Sequence, residues 1–446
     1  MPARESLPVL RQTRFITFDG AVSLVTAHQR PDRYRHLEAD FGSGKRIARG
    51  AGLTYSAASF GKGVVVQDMS AFNRLLEFDE SSRTVRVEAG CSLERLVRWA
   101  AQKELCLPVL PGYPLITVGG CVAADVHGKN PYRDGTFSDW VEGMTIFHPG
   151  RGYQAVTRTN NADVFEVTCG GYGLTGIIVD VTLRLTPMPA KNIRFNHVAI
   201  GSLSESVDRL RDSADLDFVY SWHDGTARKK AFGRGIVFMG NWSDDSCPTR
   251  DAPYYPMSAL NRARWPISLW NRATARSANT VFRQLVARRA TQVKSAYDAA
   301  FPFARQTLYH RFYGRPGLAE IQLLVPDERV TDFISLLSAV VHEIEPPLVM
   351  ISMKRFVGRR QSLSMSGSGM LFALDLARSA ATGRFVAAID ALTISLGAQP
   401  NVAKDSRLPA EIAANSLPHY TLFRQRVHEL DPDRLYQSEL SRRLAL

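Results

Sequence analysis

Three glycine-dense segments between residues 47 and 176 constrain this 446-residue chain more than any other feature. The first, Ile47-Ala-Arg-Gly-Ala-Gly-Leu-Thr-Tyr-Ser56, directly follows a strand-like run. Glycine there lets backbone N–H groups converge on an anion, and Thr54 and Ser56 add hydroxyl donors. No Lys-Ser/Thr pair follows its last glycine, so it is not a Walker loop. The second segment, Pro111 to Asn130, carries Gly119–Gly120 and then the small residues Ala123 and Ala124. A flat ring or a pyrophosphate can lie against such a backbone, with His127, Lys129 and Asn130 supplying polar groups close by. The third, Gly170-Gly-Tyr-Gly-Leu-Thr-Gly176, contains G-x-G-x-x-G but follows a helical stretch and opens the strand-like run Ile177–Leu185. A Rossmann dinucleotide loop needs a strand before it and a helix after it. The third loop is therefore expected to cradle a cofactor in a different fold.

The text around these loops is α+β. Strands are expected at Lys45–Ala48, Gly63–Asp68 and Thr84–Glu88, helices at Leu93–Lys103 and Asn161–Thr168, and a strand at Gly176–Thr186. A second region runs from about Ala190 to Gly397. Its later part reads strand (Leu318–Val325), helix (Val330–His342), strands (Val349–Arg355 and Met370–Leu376) and helix (Gly383–Leu396), the texture of an antiparallel sheet covered by helices. Thr226 to Arg315 is basic, aromatic-rich and weakly patterned, as substrate loops often are. No internal repeat is present, and the last 45 or so residues are mostly helical.

Composition narrows the partners. A formal charge of +12 invites a phosphorylated substrate, an anionic membrane surface or a nucleic acid. The basic residues are dispersed, densest at Arg228–Arg234 and Arg262–Lys294, and no nucleic-acid-binding signature accompanies them. The five cysteines (Cys91, Cys106, Cys121, Cys169 and Cys247) show no metal-ligand spacing, so no metal is expected. Neither a signal peptide nor a run of ~18 apolar residues is evident. A cytoplasmic location is expected, with any membrane contact peripheral.

The order R-G-x-G, P-G-x(6)-G-G, H-G-K-N and G-L-T-G-I-I resembles the vanillyl-alcohol-oxidase-type, or PCMH-type, FAD-binding family, and within it the decaprenylphosphoryl-β-D-ribose 2′-oxidases. The matching text is Pro108–Gly112, Thr117–Gly120, Asp125–Asn130, Gly173–Ile178 and Ala403–Arg407. The resemblance covers nearly the whole chain and is weak between about 225 and 310. It implies that residues 1–188 form the FAD-binding domain, 189–397 a substrate-binding cap with an antiparallel sheet, and 398–446 a segment returning to the FAD domain. It further implies that Arg49, Gly50, Ala51, Gly52, Leu53, Thr54, Tyr55 and Ser56 embrace the pyrophosphate. Pro111, Gly112, Thr117, Val118, Gly119, Gly120, Cys121, Ala124, Asp125, His127, Gly128 and Lys129 would line the flavin, and Gly173, Gly176, Ile177 and Ile178 would close over the adenine side. Lys404 matches the family's catalytic lysine. Tyr55, His127, Lys129, Glu320, Gln322, Lys354 and Asn401 match positions that look like its substrate pocket.

The sequence departs from that pattern in three places. Glu320 stands where glutamine is expected, Ala373 where mycobacterial members carry cysteine, and Asn401 where they carry tyrosine. Gly50–Ser59 contains neither His nor Cys, so FAD is expected to be held non-covalently. The activity implied is oxidation of a secondary sugar hydroxyl, foremost the 2′-hydroxyl of a polyprenyl-phospho-pentose destined for cell-envelope glycan, with a short-chain reductase as a partner. The alternatives are an oxidase of a soluble alditol or aldonolactone, and a non-enzymatic basic binding protein.

Overall fold

The computed structural model describes residues 9–38, 44–227, 231–247, 265–302, 304 and 307–446. Parts of the two basic stretches, 228–230 and 262–264, lie outside the described residues. The N-terminal part holds two sheets. Strands β1 (Arg11–Ile16), β2 (Ser23–Gln29), β3 (Arg46–Arg49) and β4 (Val65–Asp68) form one in the order β1-β2-β4-β3. Strands β5 (Leu75–Asp79), β6 (Thr84–Glu88), β8 (Val141–His148), β9 (Gly152–Thr157) and β10 (Ile177–Arg184) form the other, in the order β5-β6-β10-β8-β9. The two-residue strands β7 (Leu105–Cys106) and β11 (Thr186–Pro187) pair beside them.

Helices Ala410–Ser416, Tyr420–Leu430 and Glu439–Arg443 pack on the first of these sheets. Phe15, Ile47, Phe60 and Val66 share one buried cluster with Leu408, Leu417, Phe423 and Leu440, so the chain end completes the N-terminal core. Apolar burial of this kind makes residues nearly 400 positions apart one cooperative unit.

An eight-stranded sheet dominates the remainder: β12 (Asn192–Ile200), β13 (Phe218–Asp224), β14 (Gly235–Ser243), β15 (Thr291–Ser295), β16 (Leu318–Pro326), β17 (Leu348–Gly358), β18 (Gly367–Ala377) and β19 (Gln399–Pro400). Its order is β15-β12-β14-β13-β17-β18-β16-β19, and every pairing in it is antiparallel. Side chains alternate between faces at a period of two. On β16, Ile321, Leu323 and Val325 therefore face the helices Val330–Ile344 and Ala380–Ser395, in one cluster with Phe333, Phe372, Leu374 and Phe385. Glu320 and Gln322 point the other way, towards the N-terminal domain. That alternation, visible in the sequence, sets which residues can reach the site.

The helix Arg272–Ala287 lies within the stretch read as weakly patterned. Ala275 and Asn279 are buried, and Ala278, Phe282, Leu285 and Val286 share their face at helical spacing over the cavity, a period the reading of this stretch as weakly patterned passed over. It is also held by a polar contact: the Asn279 side-chain amide donates to Asp224 Oδ1 at 2.9 Å and to the Val349 carbonyl at 2.7 Å.

The two domains are also clamped electrostatically. Arg360, between β17 and β18, donates to Asp139 at 2.8 Å and to Glu166 at 3.0 Å, both in the N-terminal part of the chain. Replacing it (Arg360→Met) is expected to destabilise the folded chain by about 2 kcal/mol. That is below the ~3–5 kcal/mol of a fully buried pair, because both carboxylates keep some solvent. Chemical denaturation would measure it, and a loss under about 0.5 kcal/mol would show the clamp to be inert.

Candidate active site

The three glycine loops meet the polar face of the large sheet around one cavity of about 1020 Å³. Ordinary small-molecule sites occupy ~300–1,000 Å³, so there is room for a large cofactor and a substrate together. The wall on the N-terminal side includes Gly50 to Tyr55, Pro111, Gly112, Thr117, Gly119, Gly120, Ala124, Asp125, His127, Lys129, Gly173, Gly176 and Ile178. The other wall includes Glu320, Gln322, Lys354, Asn401 and Lys404. Sequence reasoning nominated all of these.

The glycines are there for space. A Cβ on Gly50 would lie 2.1 Å from Thr117 Oγ1, and one on Gly119 would lie 2.8 Å from Ala89 Cβ. Thr117 Oγ1 also caps the helix Val118–Ala123 by accepting from Gly120 N at 3.2 Å. The first and second loops thus touch through a gap that tolerates no side chain. The third loop needs glycine for conformation: Gly173 has φ +78° and Gly176 φ +140°. It follows the helix Ala162–Thr168 and leads into β10, the order expected of a non-Rossmann cradle.

Several nominated cofactor contacts stand behind the wall instead. Val118, Cys121 and Ile177 are wholly buried. The helical period turns Val118, Cys121 and Val122 inward together, and strand alternation sends Ile177 to the core while Ile178 faces the cavity. Arg49 does not line the cavity; its guanidinium sits 4.7 Å over the Phe15 ring and donates to Ser59 Oγ at 2.8 Å. The Ser56 hydroxyl pairs with Thr54 at 2.9 Å, and Gly128 presents its carbonyl to Lys354 Nζ at 3.0 Å. These six shape the cradle from outside.

At the reaction end, Gln322 Oε1 accepts from the Asn401 amide and lies 3.4 Å from His127 Nε2. Burial and the Lys354 charge hold the His127 imidazole down to about 3, so it is neutral at pH 7. Three lysines converge here. Burial, then the neighbouring ammonium groups, pushes Lys129 well below its ordinary value and Lys354 to about 8. Lys404 Nζ lies 3.3 Å from Glu320 and 4.6 Å over the Tyr55 ring. Asp405, its neighbour in sequence, is occupied elsewhere, with Arg407 and the N–H groups of Arg407 and Leu408.

Sequence reasoning missed one whole arm of this cavity. Following the register across the sheet, Gln322 faces Ala373, Ala373 faces Ser352, and Ser352 faces Trp222. Two residues along the same face, Tyr220 faces Phe238, which faces His197. At about 4.8 Å per strand the five steps from β16 to β12 span about 24 Å. Phe282, Leu285 and Val286 of the helix Arg272–Ala287 roof the far end, with Phe282 packed 4.6 Å from Trp222. The row is polar at Gln322 and Ser352 and aromatic beyond. Alternating aromatics at Phe218, Tyr220 and Trp222, and the helical spacing of Ala278, Phe282, Leu285 and Val286, were its signals in the sequence.

The residues present suit FAD: a glycine-walled cleft with no room for a Cβ at Gly50 or Gly119, backed by the buried Val118, Cys121 and Ile177, opening on a cationic pocket. Residues 43–158 match the family model for an FAD binding domain. The whole chain superposes on cholesterol oxidase from Brevibacterium sterolicum (a His121Ala mutant) with a TM-score of 0.73, 15% identity and coverage of 99% of this chain and 98% of that one. Fold and cleft together define an FAD-linked oxidoreductase with the α+β two-domain, vanillyl-alcohol-oxidase-type fold and its large antiparallel sheet. Among curated relatives, decaprenylphosphoryl-beta-D-ribose oxidase of Mycolicibacterium smegmatis is 29% identical over 421 residues, covering 90% of this chain and 89% of that protein. A probable L-gulonolactone oxidase of Arabidopsis thaliana is 30% identical over 142 residues, 30% of this chain and 24% of that protein. Among the described residues no helix is long and apolar enough to cross a membrane, and no cluster of side chains is arranged to hold a metal.

Proposed function

We propose that this protein oxidises a secondary hydroxyl of a lipid-linked phospho-sugar, the 2′-hydroxyl of a polyprenyl-phospho-pentose, to the 2′-keto sugar. The observation that carries this reading is the shape of the cavity. Its polar head holds Gln322, Asn401, His127 and three lysines, and the row that starts there spans about 24 Å across the sheet and is aromatic over its far part. A soluble polyol has no use for such an arm, whereas a prenyl chain buries apolar surface in it at roughly 25 cal/mol per Å².

The charge balance supports the same substrate. Lys129, Lys354 and Lys404 crowd one pocket, and beyond burial the neighbouring ammonium charges lower Lys129 and Lys354, a cost that a bound phosphate would relieve. When bound, FAD supplies the two-electron acceptor for the carbon-bound hydrogen. Gln322 and Asn401 orient the sugar, neutral His127 offers a hydrogen bond without a charge, and Lys404 stabilises the oxygen as its proton leaves. We take the FAD to be non-covalent. Gly50–Ser59 offers no His or Cys tether, and Cys121 is wholly buried, which pushes its thiol pKa up. Ile267 and Val281 are exposed on a strongly basic part of the chain, which fits peripheral contact with an anionic membrane. A short-chain reductase would then consume the keto sugar.

The test is anaerobic titration of the purified yellow protein with a polyprenyl-phospho-ribose analogue, followed by denaturation. Bleaching by the analogue, with free flavin released, is the expected result. Bleaching by an alditol or aldonolactone alone would move the substrate to the soluble class. A colourless protein that takes up no added FAD would overturn the enzymatic reading in favour of a binding protein.

A further inference from the structure

Glu320 and Asp375 are directly opposed residues of β16 and β18, and both point into the cavity. Two carboxyls facing each other across a ladder destabilise a sheet unless they serve another purpose. Each has its own hydrogen-bonding neighbour, one on the cavity side and one behind, and the Glu320 charge acts directly on Asp375. Lys404 Nζ is 3.3 Å from Glu320 at the cavity end. Behind the pair, Tyr309 Oη donates to Asp375 Oδ2 at 2.6 Å and lies 2.8 Å from Tyr313 Oη. Tyr309 is only partly buried and stands on the helix Thr307–Arg311.

We propose that the Glu320–Asp375 pair is the acceptor for the proton that leaves the substrate hydroxyl. The substrate O–H bond breaks and its proton passes to Lys404 Nζ, while Lys404 gives one of its own protons to Glu320 Oε2. Lys404 ends the step as an ammonium ion, and the pair ends it with one proton more. Behind Asp375 the hydrogen bonds continue to Tyr309, on the helix Thr307–Arg311, and from it to the buried Tyr313. The charged and titratable groups around the pair are Glu320, Asp375, Lys404, Lys354, Tyr55, Tyr309 and Tyr313, with the Asp19–Arg378 ion pair nearby. Burial first, and then the Glu320 charge, pushes Asp375 up to about 7, while the Tyr309 hydrogen bond and Lys404 pull it down. Asp375 therefore already holds a proton below that pH and is a carboxylate above it, so the pair accepts more readily above pH 7 and the rate of substrate oxidation rises through it. This inference rests on reading the cavity as an alcohol-oxidising site, but not on which alcohol.

Infrared titration of the flavin-loaded protein without substrate tests it, because a protonated carboxyl has its own C=O stretching band. The wild type should show such a band with a midpoint near pH 7. Asp375→Asn should abolish it. Glu320→Gln should move the midpoint down by removing a like charge, and Tyr309→Phe should move it up by removing a stabilising donor. The pH profile of the oxidation rate should shift in the same two directions. A wild-type spectrum without the band, or a midpoint that Glu320→Gln and Tyr309→Phe both leave in place, would overturn the proposal. Since no substrate is present in the infrared measurement, an incorrect sugar would show in the bleaching experiment and leave this one intact.

Discussion

Replacing Lys404 with methionine is expected to lower kcat/KM by about two to four orders of magnitude while the protein stays yellow. Methionine keeps the length and apolar stem of lysine but removes the only cation bonded to Glu320 among the described residues. The flavin should be retained, because the backbone around position 404 does the structural work: the Ala403 carbonyl accepts from Tyr55 N at 3.2 Å, and Lys404 N donates to Asn401 O at 3.0 Å. Lys404→Arg should recover little, since a planar guanidinium cannot pass a proton as an ammonium does. Steady-state kinetics with the flavin content measured in parallel decides the matter. A fall of less than about threefold would make Lys404 a surface partner of Glu320 and nothing more.

The second large effect is on the cofactor. Gly50→Ala should leave the protein folded yet weaken FAD binding by tenfold or more, about 1.4 kcal/mol. The new Cβ would stand 2.1 Å from Thr117 Oγ1. Thr117 can yield only by rotating, and rotation removes the cap from the helix Val118–Ala123, itself worth ~1 kcal/mol. The alternative is to push the first loop into the cleft. Gly383→Ala is the control, because its Cβ would meet nothing within 4 Å and lie in a helix interior. That variant should keep full flavin occupancy and gain up to ~1 kcal/mol of stability. Equal flavin affinity in the Gly50 variant and the wild type, read by fluorescence on reconstitution, would remove the steric account of the cradle.

Much of this site was legible in one dimension because its requirements are local. A loop whose backbone must approach a ligand closely needs glycine wherever the ligand happens to sit, so Gly50, Gly119 and Gly173 declare themselves in the sequence. Likewise the alternation of β16 and β18 separates Glu320 and Gln322 from Ile321 and Leu323 without any knowledge of the partner strand. The segment read as a loop forms the helix Val118–Ala123, and that helical turn is what points Cys121 inward. Asp375, a lone acid in the apolar run Met370–Ala377, was a signal left unread.

What the sequence by itself determined is therefore the cradle, the α+β texture, the rejection of a Rossmann loop and the group of polar residues at the head of the cavity. Only the tertiary structure decided the rest. The pairing of Glu320 with Asp375 depends on the register of two strands whose facing residues are 55 positions apart. The arm beyond Ser352 exists because a helix anchored through Asn279, with Phe282, Leu285 and Val286 on the same face, lies over the aromatic end of the sheet. Contacts of that kind arise from which surfaces meet, and a chain records its own surfaces but not their encounters.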